Sequence, residues 1–99
     1  MNEPTPNSWP RRITIVQVFE TTAEVHETLA DALRFPAYYG KNLDALWDCA
    51  TCDIDRPTHL TWRNFAATQK NLGPKVDAIR QVLEEAAAEN SNLDFWVED

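Results

Sequence analysis

Asp44 and Asp48 are the residues of this chain whose type and spacing best suit chemistry. They stand four apart in the run YYGKNLDALWDC, residues 38–49, beside Trp47 and shortly after Tyr38 and Tyr39. On a helix, residues four apart stack on one face, so the two carboxylates form a ridge flanked by aromatic rings. Three chemistries suit such a ridge. Paired carboxylates serve as general acid and base in glycoside hydrolysis, but that work wants a pocket, and adjacent turns of one short helix give a convex surface. A pair of this spacing is also what an ordinary solvated helix face carries. In the third reading the carboxylates accept charge-assisted hydrogen bonds from an arginine- or lysine-rich partner, with tyrosine and tryptophan as contact anchors. The spacing alone accommodates all three.

The other reactive side chains say less. Cys49 and Cys52 form a C-x-x-C, but at the C-terminal end of the expected helix. A helix dipole lowers a thiol pKa at the opposite end. With no second cysteine pair and no paired histidines to complete a zinc site, two ordinary thiols and no metal or cofactor are expected. His26 and His59 are far apart in sequence, with no nucleophile placed to make a triad, and read as surface or packed histidines. Trp62 and Trp96 read as core. Glu84, Glu85 and Glu89 form a solvated face, or a second acidic contact if their helix packs beside the one bearing Asp44 and Asp48.

These residues need elements to hold them. Residues 13–19 are rich in β-branched types and predict a first strand. Thr21 and Glu24 make a capping-box pattern that opens a helix to about residue 34, with Val25, Leu29 and Leu33 as its buried stripe and Pro36 beyond its end. Gly40 is expected in a turn that needs positive φ. Asn42 is a natural N-cap for a helix to about residue 51, with Leu43, Leu46 and Ala50 inside and Asp44 and Asp48 outside. Residues 57–62 predict a second strand, and 64–72 a short helix closed by Gly73. Pro74 suits the first turn of a last helix over about 75–90, which has apolar residues at helical spacing. The near-continuous apolar run 93–97 predicts a buried strand. Three strands separated by helices imply a small parallel sheet with right-handed crossovers.

Ninety-nine residues suffice for one domain. Residues 1–11 read as a disordered tail before a folded domain over 12–99. Nine basic against sixteen acidic side chains give a formal charge of −7. That argues against nucleic acid as a direct partner and in favour of a cationic one. No apolar run approaches the ~20 residues of a membrane span. Residues 1–10 lack the hydrophobic core of a signal peptide, so the expected location is the cytoplasm, with both cysteines reduced.

The chain resembles the barstar family. The resemblance rests on Pro36, Tyr38-Tyr39-Gly40, the run from Asn42 to Cys49, and Thr51. It extends more weakly to His26, Trp62-Arg63, Phe65, Glu85 and Ala86. It implies an α/β fold with a three-stranded parallel sheet packed with about four helices. It also implies that the protein is no enzyme but an inhibitor, monomeric when free, that occludes the active site of a small, cationic, secreted, guanyl-specific microbial ribonuclease one-to-one. In that role Asp48 would be central, its carboxylate standing in for a substrate phosphate. Tyr38 would meet the catalytic region, Asp44 would pair with basic side chains, Trp47 and Thr51 would pack at the rim, and Glu85 would add a peripheral acidic contact. The contact surface would also take in Tyr39, Gly40, Asn42, Leu43, Cys52 and Asp53. The chain departs from the family pattern at Cys52 and Asp53, which replace a glycine and a tryptophan, at Lys41, which replaces an acidic residue, and at Ser91, which replaces a cysteine. The alternative is the same scaffold serving as a binding module or antitoxin for a cationic partner that is not a ribonuclease.

Overall fold

The computed structural model describes residues 10–98. Most of the expected N-terminal tail lies outside the described residues. The elements run β1 (Arg11–Ile15), α1 (Thr22–Leu33), α2 (Leu43–Cys52), β2 (Thr58–Trp62), α3 (Phe65–Leu72), α4 (Pro74–Glu89) and β3 (Leu93–Val97). The strands form one parallel sheet in the order β1-β2-β3, with Ile13, Leu60 and Phe95 in register across it. Both crossovers move one strand over in the same direction. Their right-handedness therefore puts all four helices on one face. Burial along β2 agrees: Thr58, Leu60 and Trp62 are buried, while His59 and Thr61 are partly open. The α/β architecture is the one expected.

The core sits between that sheet face and the helices. Trp62 is fully buried, with Phe19 and Phe65 edge-on to it at centroid distances of 6.3 and 5.2 Å. Leu29 and Leu33 of α1, Leu46 of α2, and Val76, Ile79 and Leu83 of α4 close over it. Local signals place the helix starts as expected. The Thr21 hydroxyl accepts from the Glu24 N–H, and the Glu24 carboxylate accepts in return from the Thr21 N–H. Gly73, at φ 60°, ends α3, and Pro74 opens α4.

Four expectations are corrected. β1 starts at Arg11 and stops at Ile15, not Phe19, because the pairing with β2 ends at Trp62. Beyond it, the Arg63 N–H donates to the Ile15 carbonyl and Asn64 Nδ2 to that of Val16, which turns the chain off the sheet. β3 is an edge strand open on one face rather than a fully buried one. Trp96 is 56% exposed on the side away from the helices, stacked on His59 at 6.0 Å. Leu43 is 40% exposed, and Cys49 takes the expected inner place on α2, completing an i, i+3, i+4 stripe with Leu46 and Ala50. The positive φ in the loop before α2 falls on Lys41, at 55°, and not on Gly40. Gly40 serves by close approach instead: a Cβ there would lie 3.2 Å from Asn42 Nδ2.

Candidate partner-binding site

The loop between α1 and α2 is fixed from below. Arg34, in the left-handed conformation, ends α1. The Tyr39 N–H then donates to the Pro36 carbonyl at 3.0 Å and closes a turn. The rings of Phe35 and Tyr39 pack at 5.1 Å, and the Tyr39 hydroxyl lies 2.6 Å from Nδ1 of the buried His26. Burial pushes the Tyr39 phenol well above its ordinary pKa, so it stays protonated. With Tyr39 turned inward, its neighbour Tyr38 is turned out and is 81% exposed.

α2 follows from a firm start. Asn42 Oδ1 accepts from the Ala45 N–H at 2.8 Å, while Nδ2 donates to the Gly40 carbonyl at 3.3 Å. Cap and loop thus share one side chain. Lys41 Nζ donates to Glu27 Oε2 at 3.0 Å across to α1, an exposed pair worth little in stability. From that start the helix phase is set: Leu46, Cys49 and Ala50 go in, Asp44 and Asp48 go out, and Trp47 lies half-buried against the core. The Thr51 hydroxyl donates to the Trp47 carbonyl at 2.7 Å, back onto its own helix.

The loop and the helix enclose a hollow of about 380 Å3. Tyr38 and Gly40 line one side, and Asp48, Cys52 and Asp53 the other, with the buried Tyr39 and Cys49 beneath. Six of the twelve residues expected from the sequence thus meet here. Asp44, Trp47 and Thr51 continue the surface along the helix, and Asn42 and Leu43 stand at its start. Tyr39 lies in the core as a support, with its hydroxyl committed to His26. Glu85 is exposed on α4, its carboxylate accepting from Gln81 at 3.1 Å. Because α4 packs along α2, its acidic face is on a neighbouring element.

The electrostatics are one-sided. The last turn of α2 has no basic residue, while Asp48 stands near its end and Asp53 is its C-cap. Carboxylates at this end oppose the helix dipole, a placement that stability alone disfavours. Burial, then the Asp53 carboxylate, pushes the Cys49 thiol up to about 11, so at neutral pH it is no nucleophile. Among the described residues no three potential ligands gather into a metal site. The surface offers hydrogen-bond acceptors and an exposed aromatic ring beside a hollow with an apolar floor. It suits a cationic side chain with an apolar stem. Sequence reasoning missed the pairing of His26 with Tyr39. They are thirteen residues apart on different elements, and no local pattern links them.

A family model described as Barstar (barnase inhibitor) matches residues 12–99. A protein of Bacillus subtilis (strain 168) named "Putative ribonuclease inhibitor YrdF" is 45% identical over 71 residues, which cover 72% of this chain and 78% of the relative.

Proposed function

The chain belongs to the barstar family of ribonuclease inhibitors, and from that premise we propose that it inhibits a small, cationic, secreted-type microbial ribonuclease by plugging its active site one-to-one. The observation that carries this reading is the position of Asp48. It stands at the lip of a hollow, on a helix whose start is capped, across from the outward ring of Tyr38. An active site that binds RNA holds arginines and lysines where phosphate sits, and these repel one another when the site is empty. A carboxylate on a rigid support satisfies them without paying to organise itself. Asp44, Trp47 and Thr51 extend the contact, and Glu85 adds charge at its edge. The net charge of −7 steers a cationic enzyme toward this face. The protein works as a stoichiometric partner in the cytoplasm, where an uninhibited ribonuclease would destroy RNA, and it turns over no substrate.

A second reading has one observation in its favour. Cys52 and Asp53, which replace the family's glycine and tryptophan, both line the hollow itself. A partner fitted to this hollow meets more negative charge and one aromatic ring fewer, which suits a cationic protein other than the family's usual target. One titration separates the two. Adding the protein to a guanyl-specific ribonuclease while following RNA cleavage is expected to abolish activity at one equivalent. Asp48→Ala is expected to weaken inhibition by at least about 2 kcal/mol, or thirtyfold. Full ribonuclease activity at micromolar inhibitor would support the second reading, and inhibition indifferent to Asp48 would rule out the plug.

A further inference from the structure

A second hollow, of about 420 Å3, lies where the first turns of α1, α2 and α4 meet. Its size falls within the roughly 300–1,000 Å3 of small-molecule sites. Leu43, Ala78 and Ile79 give it an apolar wall, and Thr22, His26 and Lys75 supply polar groups. Asn42 also borders it, but its amide is already committed to Ala45 and Gly40.

Hydrogen bonding decides what those polar groups offer. His26 is only 5% exposed, and its Nδ1 shares one proton with the Tyr39 hydroxyl. If Nδ1 supplied that proton, the phenolic hydrogen would need another acceptor, and none stands within reach among the described residues. The hydroxyl therefore donates, and the imidazole carries its own proton on Nε2. Nε2 has no partner among the described residues, and the ring lines the hollow. A buried side chain thus presents an unused N–H to an open space.

The surroundings are positive as well. Lys75 makes no ion pair among the described residues. Of the acidic side chains in the first turns of these helices, Glu24 accepts from the N–H groups of Glu20 and Thr21, Asp77 accepts from Gln69, and Asp44 is exposed on α2 and does not line the hollow. Burial, then the positive charge of Lys41, holds His26 below its ordinary pKa. Three helix N-termini add partial positive charge. In a chain of net charge −7, no described acidic residue lines this hollow, and Lys75, the His26 Nε2–H and the Thr22 hydroxyl can all donate beside its apolar wall.

We propose that this hollow binds a small carboxylate with an apolar body. The carboxylate would take the Lys75 ammonium, the His26 Nε2–H and the Thr22 hydroxyl, and the body would lie against Leu43, Ala78 and Ile79. A single cation matches one negative charge, and the apolar wall leaves no place for the remaining oxygens of a phosphate.

The test is to titrate 3-phenylpropanoate into the full chain and follow its 1H–15N spectrum, with 3-phenylpropanamide and inorganic phosphate in parallel. Saturable shifts are expected at the Thr22, Leu43, Lys75 and Ala78 amides and at His26 Nε2, with the amide about tenfold weaker and phosphate without effect. Lys75→Gln, at an exposed position that leaves the core intact, is expected to weaken the carboxylate about tenfold and leave the amide unchanged. Shifts that fail to saturate, acid and amide binding alike, phosphate binding as well as the carboxylate, or indifference to Lys75→Gln would each overturn the proposal.

Discussion

Between Tyr38 and Tyr39 the backbone sends one ring into solvent and the next into the core, so adjacent residues of the same type do separate work. The inner one is structural. Tyr39→Phe leaves Nδ1 of the buried His26 without its hydrogen-bond partner, and a buried polar group so abandoned costs about 1–3 kcal/mol. Urea unfolding is expected to show that loss. Tyr38→Ala removes a ring that is 81% exposed and is expected to shift stability by no more than about 0.5 kcal/mol. Under the inhibitor reading the order reverses for binding: Tyr38→Ala weakens the complex directly, while Tyr39→Phe acts on it only through the stability of the loop. Measuring unfolding and inhibition on both variants separates support from contact.

At the scale of elements, the inhibitor reading makes α2 the piece that must be in place before a partner arrives. Its one side-chain cap is Asn42, which also ties down the loop through Gly40. Asn42→Ala is expected to cost about 1 kcal/mol, read as a lower urea midpoint at unchanged slope. The helix starts were legible in the sequence because their determinants are local: Thr21 with Glu24, Asn42, and Pro74 after Gly73 each lie within a few residues of the end they set. Strand ends were not. β1 stops at Ile15 because β2 stops at Trp62, a fact stored 47 residues away in the register. Trp96 was misread for a similar reason. An apolar run fits a strand covered on both faces, and only the topology leaves one face bare. Of the residues around the hollow, Tyr38, Gly40 and Asp48 stand in the family motif, whereas Cys52 and Asp53 depart from it. The αL turn was misassigned to Gly40 because glycine is the cheapest residue there, yet the path of the loop puts the strain on Lys41. Leu43 and Cys49 traded places because either fits an i, i+3 step, and packing against α4 decides between them.

At the scale of the whole molecule, stability should carry the mark of one histidine. His26 has its pKa lowered by burial and then by Lys41, whereas in the unfolded chain it titrates near the ordinary value of about 6.5. Below that value the unfolded state binds a proton that the folded state resists, so stability falls as the medium becomes more acid. Above it, both states hold the neutral ring, and this contribution is fully present. Urea unfolding between pH 5 and 8 is expected to show a plateau above about pH 7 and a decline below about 6.5. His26→Gln should flatten that decline, whatever it does to stability at neutral pH. The molecule also has two unlike sides. With every helix on one face of the sheet, the opposite face, which bears Thr14, Thr61 and Trp96, lies away from α2. A dye or a surface linker attached at Thr14→Cys in a Cys52→Ser background would hold the protein by its back and present α2 outward. The fold thus offers a ready handle for immobilising the protein in a biosensor.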